Sequence, residues 1–290
     1  MSRQWIAILD YGSQYTQLIA RRIREQQVYS EIIRFDTTAA KLRENPPAGI
    51  ILSGGPNSVF EEGAPGIDAE IFNLGIPVLG VCYGMQLMSQ TLGGKVTPGE
   101  SREYGKTEMT TTPDNVLFAG LPQSFVVWMS HGDRVAEIPD GFQVSATSAN
   151  CPYAAIRDER RKFYAIQFHP EVVHTEFGNQ IIGNFLFKVC GCKADWKLSS
   201  WIDETVEKIK RQVGDEEVVL GLSGGVDSSV VAVLLHKAIG PRLHCIFVDN
   251  GLLRYNEDKQ VEEMFHAKLG LDLYVAHAAS HFYAALKGVS

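Results

Sequence analysis

Short apolar runs alternate with amphipathic segments along the first 92 residues of the chain. The apolar runs predict β-strands at residues 5–9, 28–35, 50–52 and 77–81. Apolar residues at helical spacing between these runs predict helices at residues 16–26, 68–74 and 83–92. Apolar strands that are separated by helices belong to a parallel sheet covered by helices. The pattern therefore predicts an α/β domain.

The composition changes after residue 95. Residues 95–155 are rich in threonine and aromatic residues and are interrupted by proline and glycine, which predicts antiparallel strands and loops added to the sheet. A buried strand is predicted at residues 163–168 and a closing helix at residues 179–189, before a polar connection. We therefore expect a first domain at residues 1–192, a linker with the start of a helix at 193–203, and a second domain at 204–290.

The second domain repeats the alternation of helices and strands. Its opening helix is predicted to start at a Ser200 cap and to stop at Gly214, with an apolar face formed by Ile202, Val206, Ile209 and Val213. Further elements are predicted as strands at residues 218–222, 243–248 and 271–276 and helices at residues 229–238 and 257–269. Because three strands are few for an open sheet covered on both faces, we expect this segment to be the N-terminal part of a larger, truncated domain.

Charge and apolar run length exclude some classes of protein. The chain has 27 Lys and Arg against 34 Asp and Glu, a formal net charge of −7, and no run of basic residues that could neutralise a row of phosphates. We therefore expect no nucleic-acid partner. The longest apolar stretch near a predicted helix, residues 230–235, is far shorter than the ~20 residues of a membrane span, so we expect a cytoplasmic protein without a membrane partner.

One of the five cysteines, Cys82, lies between a predicted strand and a predicted helix, with Gly80 and Gly84 two residues to either side. A tight strand-to-helix turn needs such small flanking residues and exposes the residue at its tip. The start of a helix favours a thiolate, and the backbone N–H of Tyr83 can face a developing oxyanion. A small cysteine of the core is the alternative, but the flanking glycines favour a nucleophile.

A nucleophilic cysteine needs a base, and His169 follows the predicted strand at residues 163–168. Residues two apart on a strand share a face, so Glu171 can hold the His169 ring and leave its other nitrogen for the sulfur. An ordinary histidine at a strand end is the alternative. A second oxyanion donor is predicted in the glycine turn at residues 53–56, where we place it at Gly55.

Three motifs together resemble the class I glutamine amidotransferase family: Gly-Val-Cys-Tyr-Gly-Met-Gln, Ser-Gly-Gly-Pro and His-Pro-Glu. The resemblance covers residues 1–192 and implies a flavodoxin-like fold and hydrolysis of the glutamine side-chain amide. Gln86 lies on the same helical face as Cys82 and is a candidate substrate contact. Ser130 and His131 lie in a Trp-Met-Ser-His-Gly-Asp segment that resembles the loop of this family that holds the amino-acid end of glutamine. For His131, a surface position is the alternative.

A second motif, Ser-Gly-Gly-Val-Asp-Ser at residues 223–228, lies between a predicted strand and a predicted helix. Its glycine backbone can surround an anion at a helix N-terminus, and it is neither a Walker motif nor a dinucleotide turn. It resembles the pyrophosphate loop of the ATP pyrophosphatase family, which has an adenine-nucleotide α-hydrolase-like fold with a parallel sheet. The resemblance implies that ATP and Mg²⁺ bind here, with Asp227 at the magnesium ion and Val248 at the adenine. Ser223, Gly225 and Ser228 would hold pyrophosphate oxygens, and the whole loop would form the ATP and pyrophosphate site: Ser223, Gly224, Gly225, Val226, Asp227 and Ser228.

The order of the two modules, with Phe-Val-Asp-Asn-Gly-Leu-Leu-Arg after the loop, resembles the glutamine-hydrolysing GMP synthetase family. The resemblance implies glutamine, ATP and xanthosine 5′-monophosphate (XMP) as substrates, GMP as a product, and a homodimer for the full-length family member. For this chain we expect the glutaminase part of that activity. Two alternatives stay open. The first is an amidotransferase for another acceptor, which the motif at residues 223–228 disfavours. The second is a regulatory or ligand-binding fragment, which the presence of Cys82, His169 and Glu171 together disfavours.

Overall fold

The computed structural model describes residues 4–289, with the side chains of residues 100–102 and 268 left out. The chain divides into two compact units, Met1–Trp196 and Lys197–Ser290. The division falls inside the segment 193–203 that the sequence predicts as a linker. Trp196 is buried in the first unit, where its backbone N–H donates to the Gln27 carbonyl oxygen over 2.8 Å.

The first unit contains a nine-stranded mixed sheet with the order β2-β1-β3-β4-β9-β8-β7-β5-β6. Neighbouring strands from β2 to β9 pair in parallel, and the pairs from β9 to β6 are antiparallel. This confirms the predicted parallel sheet and its antiparallel addition. The strands are β1 (Ile6–Asp10), β2 (Ser30–Arg34), β3 (Gly49–Leu52), β4 (Val78–Val81), β5 (Lys95–Thr111), β6 (Ser124–Glu137), β7 (Gln143–Ser148), β8 (Ala155–Asp158) and β9 (Phe163–Ile166).

Helices cover both faces of this sheet because the central strands are apolar on both sides. They are α1 (Thr16–Glu25), α2 (Ala39–Glu44), α3 (Tyr83–Thr91) and α4 (Gly178–Gly183), the last continuing as a π-helical segment, Asn184–Val189. One core contains Ile6, Ile8, Ile19, Ile23, Ile51 and Ile181. The other contains Ala7, Leu9, Leu42, Leu52, Met85 and Met88. Alternate residues of β1 thus enter opposite cores.

Two details of the first unit differ from the prediction. The helix predicted at residues 68–74 is a shorter 3₁₀ segment, Ala69–Asn73, which Asp68 caps by accepting the Glu70 N–H. The helix α2 was not predicted, because only Ala39 and Leu42 of its six residues are buried and so it shows little apolar periodicity.

The second unit contains a three-stranded parallel sheet with the order β10-β11-β12, as predicted. The strands are β10 (Val218–Leu222), β11 (Leu243–Asp249) and β12 (Asp272–His277). The helices are α5 (Leu198–Val213), α6 (Val226–Ile239), α7 (Glu257–Glu262) with a π-helical continuation (Glu263–Lys268), and α8 (Ala279–Leu286). Val219 and Tyr274 are each about two-thirds exposed, at 68% and 67%, so one sheet face is open within the described residues.

Helix ends in the second unit correct two predictions. Ser200 is not the N-cap of α5, because the helix already begins at Leu198 and Lys197 occupies the cap position without a side-chain hydrogen bond. Gly214 does end α5, with a φ of 60°. The helix predicted from residue 229 begins three residues earlier, at Val226, so Asp227 and Ser228 lie in its first turn. Helix α8 was not predicted. Among the described residues, no helix has both the length and the apolar character that crossing a membrane requires.

Candidate active site

Cys82 lies at the turn between β4 and α3 with φ 52° and ψ −107°, a conformation that a non-glycine residue rarely adopts. The two flanking glycines make the turn possible. A Cβ on Gly80 would lie 2.7 Å from the Gly84 carbonyl oxygen, and a Cβ on Gly84 would overlap the backbone of Leu52. The local sequence thus forces the cysteine into a strained turn at the C-terminal edge of the parallel strands.

His169 and Glu171 form a buried pair beside this turn. The Nδ1 atom of His169 lies 2.8 Å from Oε1 of Glu171, and their side chains are 5% and 0% exposed. The side chain of Cys82 is among the groups that raise the pKa of His169, so the ring and the sulfur interact. A Cβ on Gly54 would lie 3.1 Å from Cε1 of His169 and 3.7 Å from Cβ of Cys82, so Gly54 is the close neighbour of both. The fold therefore brings the three predicted catalytic residues together.

The protonation of His169 depends on these contacts. Burial alone lowers the pKa of His169, but hydrogen bonds and charge interactions with Cys82 and Glu171 outweigh burial and raise this pKa to about 10. The arrangement favours an imidazolium next to the sulfur. An imidazolium in this position stabilises a thiolate and can donate a proton to a leaving group.

The glycine turn after β3 supplies an oriented peptide group. The hydroxyl of Ser53 accepts the Tyr11 backbone N–H over 3.0 Å and donates to the Gly54 carbonyl oxygen over 2.8 Å. Because a trans peptide directs its C=O and N–H to opposite sides, the Gly55 N–H points away from Ser53. A Cβ on Gly55 would lie 2.7 Å from the Tyr11 carbonyl oxygen, which explains the glycine. Tyr83 is the first residue of α3, so its N–H has no acceptor within the helix.

These groups border a cavity of about 840 Å³ in the first unit. Its wall includes seven of the residues predicted for glutamine hydrolysis: Gly55, Cys82, Tyr83, Gln86, Ser130, His131 and His169. The thiol of Cys82 donates to the Ser130 carbonyl oxygen over 3.6 Å. Glu171 is not in the wall and lies behind His169. A cavity of this size accommodates a small amino-acid substrate.

His131 is buried, which argues against the surface position that was its alternative. Its Nδ1 lies 3.0 Å from the Asp133 carbonyl oxygen, and its Nε2 lies 3.2 Å from Oε2 of the buried Glu103. A carbonyl oxygen only accepts, so Nδ1 carries a proton, and burial lowers the pKa of His131. Cys151 lies beside this pair, and burial raises the pKa of its thiol to about 12. The cluster fixes the orientation of the His131 ring.

Sequence reasoning missed several residues around the site. Gln167 is fully buried and donates from Nε2 to the sulfur of Cys82 over 3.7 Å. Thr175 donates to the His169 carbonyl oxygen over 2.6 Å, and Arg22 donates from Nε to the Glu171 carbonyl oxygen over 3.1 Å. The ring of Tyr15 lies edge-on to His169 at 5.3 Å. Of these, only Gln167 carries a sequence signal, since it stands two residues before the histidine.

In the second unit, the predicted phosphate loop joins β10 to α6. The hydroxyls of Ser223 and Ser228 lie 3.0 Å apart, and the Gly225 N–H donates to the Ser223 hydroxyl over 3.3 Å. Gly224 has a φ of 74°, which suits glycine. Two serine hydroxyls and the backbone at a helix start fit phosphate oxygens, and the exposed Asp227 carboxylate in the first turn offers oxygen ligands of the kind Mg²⁺ takes.

Val248 lies at the same edge of the sheet as this loop. In the parallel register, Leu222 of β10 pairs with Phe247 of β11, so Val248 stands one residue beyond the last position that pairs with β10. Its side chain is partly exposed, at 41%. The carboxyl edge of parallel strands is where ligands bind in open α/β sheets. This position leaves the Val248 side chain accessible to a nucleotide base such as adenine.

The fold of the first unit and the strained turn at Cys82 define a class of protein, and comparison with known families agrees. Residues 7–189 match the family model described as glutamine amidotransferase class-I, and residues 197–287 match the model described as NAD synthase. The chain belongs to the class I glutamine amidotransferase family.

Individual relatives are more specific. The chain is 56% identical to a GMP synthase (glutamine-hydrolyzing) of Enterococcus faecalis, over 98% of this chain and 55% of that protein. It is 52% identical to the protein of the same name from Caldicellulosiruptor saccharolyticus, over 100% of this chain and 57% of that protein. These relatives confirm the predicted resemblance to glutamine-hydrolysing GMP synthetases, and the chain spans about 55% of the Enterococcus protein's length.

A solved structure supports the fold of the first unit. A protein from Thermoplasma acidophilum, provisionally named as one component of a GMP synthase, is 32% identical with a TM-score of 0.59. The match covers 66% of this chain and 96% of that protein. The predicted fold class, an amidotransferase domain followed by a second parallel-sheet domain, is confirmed.

Proposed function

We propose that the first unit hydrolyses the side-chain amide of glutamine, with Cys82 as nucleophile, His169 as general acid and base, and Glu171 as the group that orients His169. The observation that carries this proposal is the buried His169–Glu171 pair beside a cysteine at a strained strand-to-helix turn, in the wall of a cavity. Packing alone would not require a core cysteine to combine a strained turn, an adjacent histidine–glutamate pair and a position in a cavity wall.

The chemistry follows from the positions of these groups. The Cys82 thiolate attacks the amide carbon, and the resulting oxyanion accepts hydrogen bonds from the Gly55 and Tyr83 N–H groups. His169 donates a proton to the departing ammonia and leaves a glutamyl thioester. His169 then takes a proton from a water molecule, whose hydroxide displaces the sulfur through a second oxyanion. One glutamine and one water thus become glutamate and ammonia.

For substrate binding we propose Gln86, Ser130 and His131. All three lie in the cavity wall. Gln86 donates from Nε2 to the Asp133 carbonyl oxygen over 2.9 Å, which ties α3 to the segment that carries Ser130 and His131. The buried Glu103 holds His131 in place. The amino-acid end of glutamine would lie against this segment, with its side chain directed toward Cys82.

For the second unit we propose the binding of ATP and Mg²⁺ at residues 223–228. Ser223, Gly224, Gly225, Val226 and Ser228 would hold pyrophosphate oxygens, Asp227 would bind the metal ion, and Val248 would contact the adenine. When bound, Mg²⁺ neutralises the charge of the phosphates. The names of the curated relatives support a role in GMP synthesis. There, adenylylation of the C2 oxygen of XMP would precede its displacement by ammonia, with release of AMP and pyrophosphate, and the full-length protein would be a cytoplasmic homodimer.

Covalent labelling tests the glutaminase proposal. Exposure of the chain to an electrophilic analogue of glutamine, followed by intact-mass analysis and peptide mapping, should give a single adduct at Cys82. The Cys82→Ala variant should give no adduct and release no glutamate. A folded wild-type chain that stays unlabelled, or glutamate release by Cys82→Ala, would refute the assignment.

Nucleotide binding tests the second unit separately. The wild-type chain should bind Mg-ATP in a calorimetric titration, and Asp227→Ala should weaken this binding while glutamine-analogue labelling of Cys82 is unchanged. The matched control is Asp203→Ala, which removes an exposed carboxylate on α5 that pairs with Lys237. Equal affinity of the wild type and Asp227→Ala for Mg-ATP would remove the metal role from Asp227.

A further inference from the structure

Gln167 connects Cys82 and Gln86, two residues of the cavity wall to which the proposed mechanism gives separate roles. It is fully buried, and its carboxamide has a polar contact at each end. Its Nε2 donates to the sulfur of Cys82 over 3.7 Å, and its Oε1 accepts from Nε2 of Gln86 over 3.4 Å. The second contact fixes which end of the amide is the donor, because Gln86 presents an NH₂ group.

The contacts extend into a continuous polar chain. The NH₂ group of Gln86 donates both to the Asp133 carbonyl oxygen, over 2.9 Å, and to Gln167. The thiol of Cys82 donates to the carbonyl oxygen of Ser130 over 3.6 Å. The Cys82 sulfur is therefore linked to the 130–133 segment from two sides, directly and through two carboxamides.

Directionality decides what Gln167 can do for the sulfur. A carboxamide N–H donates, and a thiolate accepts hydrogen bonds more strongly than a thiol does because it is charged. The contact therefore favours the thiolate over the thiol, in addition to the helix start and His169. Burial strengthens the effect, because no water competes at a fully buried amide.

We propose that Gln167 is a further catalytic residue, a donor that stabilises the Cys82 thiolate, and that its hydrogen bond with Gln86 keeps the donating end of the amide on the sulfur. The catalytic role of Gln167 rests on the proposed glutaminase function, whereas its hydrogen bond to Cys82 does not depend on that function. In the thioester the sulfur is uncharged, so the hydrogen bond weakens once attack has occurred and returns when the thiolate leaves.

Alkylation of Cys82 in the full chain measures the proposed effect. The rate of reaction with iodoacetamide is followed from pH 5 to pH 10, and the modified residue is identified by peptide mapping. Gln167→Leu keeps the size of the side chain but removes the donor. Gln167→Glu keeps the shape and still accepts from Gln86, but places a carboxylate next to the sulfur. The pH of half-maximal alkylation should rise by about one unit in Gln167→Leu, and further in Gln167→Glu.

Asn184→Leu is the matched control. Asn184 is another buried carboxamide of the same unit, and it donates to the carbonyl oxygens of Leu117 and Ala119. Its loss should lower the thermal midpoint by an amount similar to that of Gln167→Leu without moving the pH profile of Cys82. Gln167→Glu serves as the second variant if Gln167→Leu does not fold.

Two results separate this proposal from the glutaminase proposal. Folded Gln167→Leu and Gln167→Glu variants with the wild-type pH profile would overturn the role of Gln167, even if the glutamine analogue labels Cys82. If the two variants show shifted pH profiles but the glutamine analogue never labels Cys82 in the wild-type chain, the role of Gln167 at the sulfur is supported and the glutaminase proposal is refuted.

Discussion

Nδ1 of His169 lies 2.8 Å from Oε1 of Glu171, while the second carboxylate oxygen of Glu171 is buried without a hydrogen-bond partner in the described part of the chain. A buried carboxylate with one oxygen unsatisfied is costly, so its interaction with His169 offsets part of its burial. The arrangement makes the charge of each partner depend on the other. This dependence gives the first two predictions.

Glu171→Gln should lower the pKa of His169, because the hydrogen bond and the charge of Glu171 are two of the causes that raise it. Glutamine hydrolysis should fall at least a hundredfold, since the amide no longer stabilises the imidazolium. NMR titration of His169 and a glutamate-release assay measure the two effects. Glu137→Gln, an exposed carboxylate on β6, is the control and should change neither. An unchanged His169 titration in Glu171→Gln would contradict the predicted coupling.

The stability that His169 contributes should decrease at high pH. The pKa of His169 is about 10 in the folded chain and close to 6.5 in an unfolded one. The folded state therefore holds the proton more tightly, so the contribution is complete below about pH 6.5 and is lost as the pH rises through about 10. Denaturant unfolding of the wild type and His169→Gln at pH 6, 8 and 10 should show a difference in free energy of unfolding that narrows with pH. If the difference in free energy of unfolding instead widened with rising pH, the predicted direction of the pH dependence would be wrong.

Ser53→Ala should release the Gly54–Gly55 peptide, because the Ser53 hydroxyl is the group that holds the Gly54 carbonyl oxygen. The kcat for glutamine hydrolysis should fall about tenfold to a hundredfold with KM little changed, since the lost orientation matters only when the oxyanion forms. Ser89→Ala is a matched control, because Ser89 is equally buried and its hydroxyl has no partner among the described residues. A fall in kcat of the same size in both variants would point to a general loss of packing.

Gly84→Ala should destabilise the first unit by about 2 kcal/mol or more, because the new methyl group meets the backbone of Leu52, which cannot move without disturbing β3. The measurement is the thermal midpoint. Gly66→Ala is the control, since a Cβ there has open space and the backbone of Gly66 is not left-handed. If Gly84→Ala were as stable as the wild type, the backbone of Leu52 would have room for the methyl group and the turn would be less tightly packed than in this structure.

Much of the fold was predictable because its signals are local. The strands of the parallel sheet are continuous apolar runs, and the turn at Cys82 follows from two glycines that are close in sequence. The triad was predictable for a similar reason, since Glu171 stands two residues after His169. The predictions failed at helix boundaries: α5 begins at Leu198 with Lys197 at the cap position, although Ser200 carries the side chain type that usually caps a helix.

Arg22 and Gln167 mark the limit of sequence reasoning about the site. Arg22 contacts the carbonyl oxygen of Glu171 across 149 positions of sequence, and Gln167 reaches Cys82 across 85. The position of Gln167, two residues before His169, is a sequence signal that points to the site, but no periodicity or spacing indicates that either side chain makes its particular contact.

By itself the sequence determined the two α/β units, because apolar runs alternate with segments of helical periodicity. It also determined the strained turn at Cys82 and the glycine loop at residues 223–228, because both depend on steric limits between neighbouring residues. Only the tertiary structure decided which side chains surround the sulfur. Strand β4, which precedes Cys82, pairs with β9, which precedes His169, although the whole antiparallel addition from β5 to β8 lies between them in sequence. That pairing is made by the packing of the complete sheet, so it fixed the positions of Gln167 and His169 relative to Cys82.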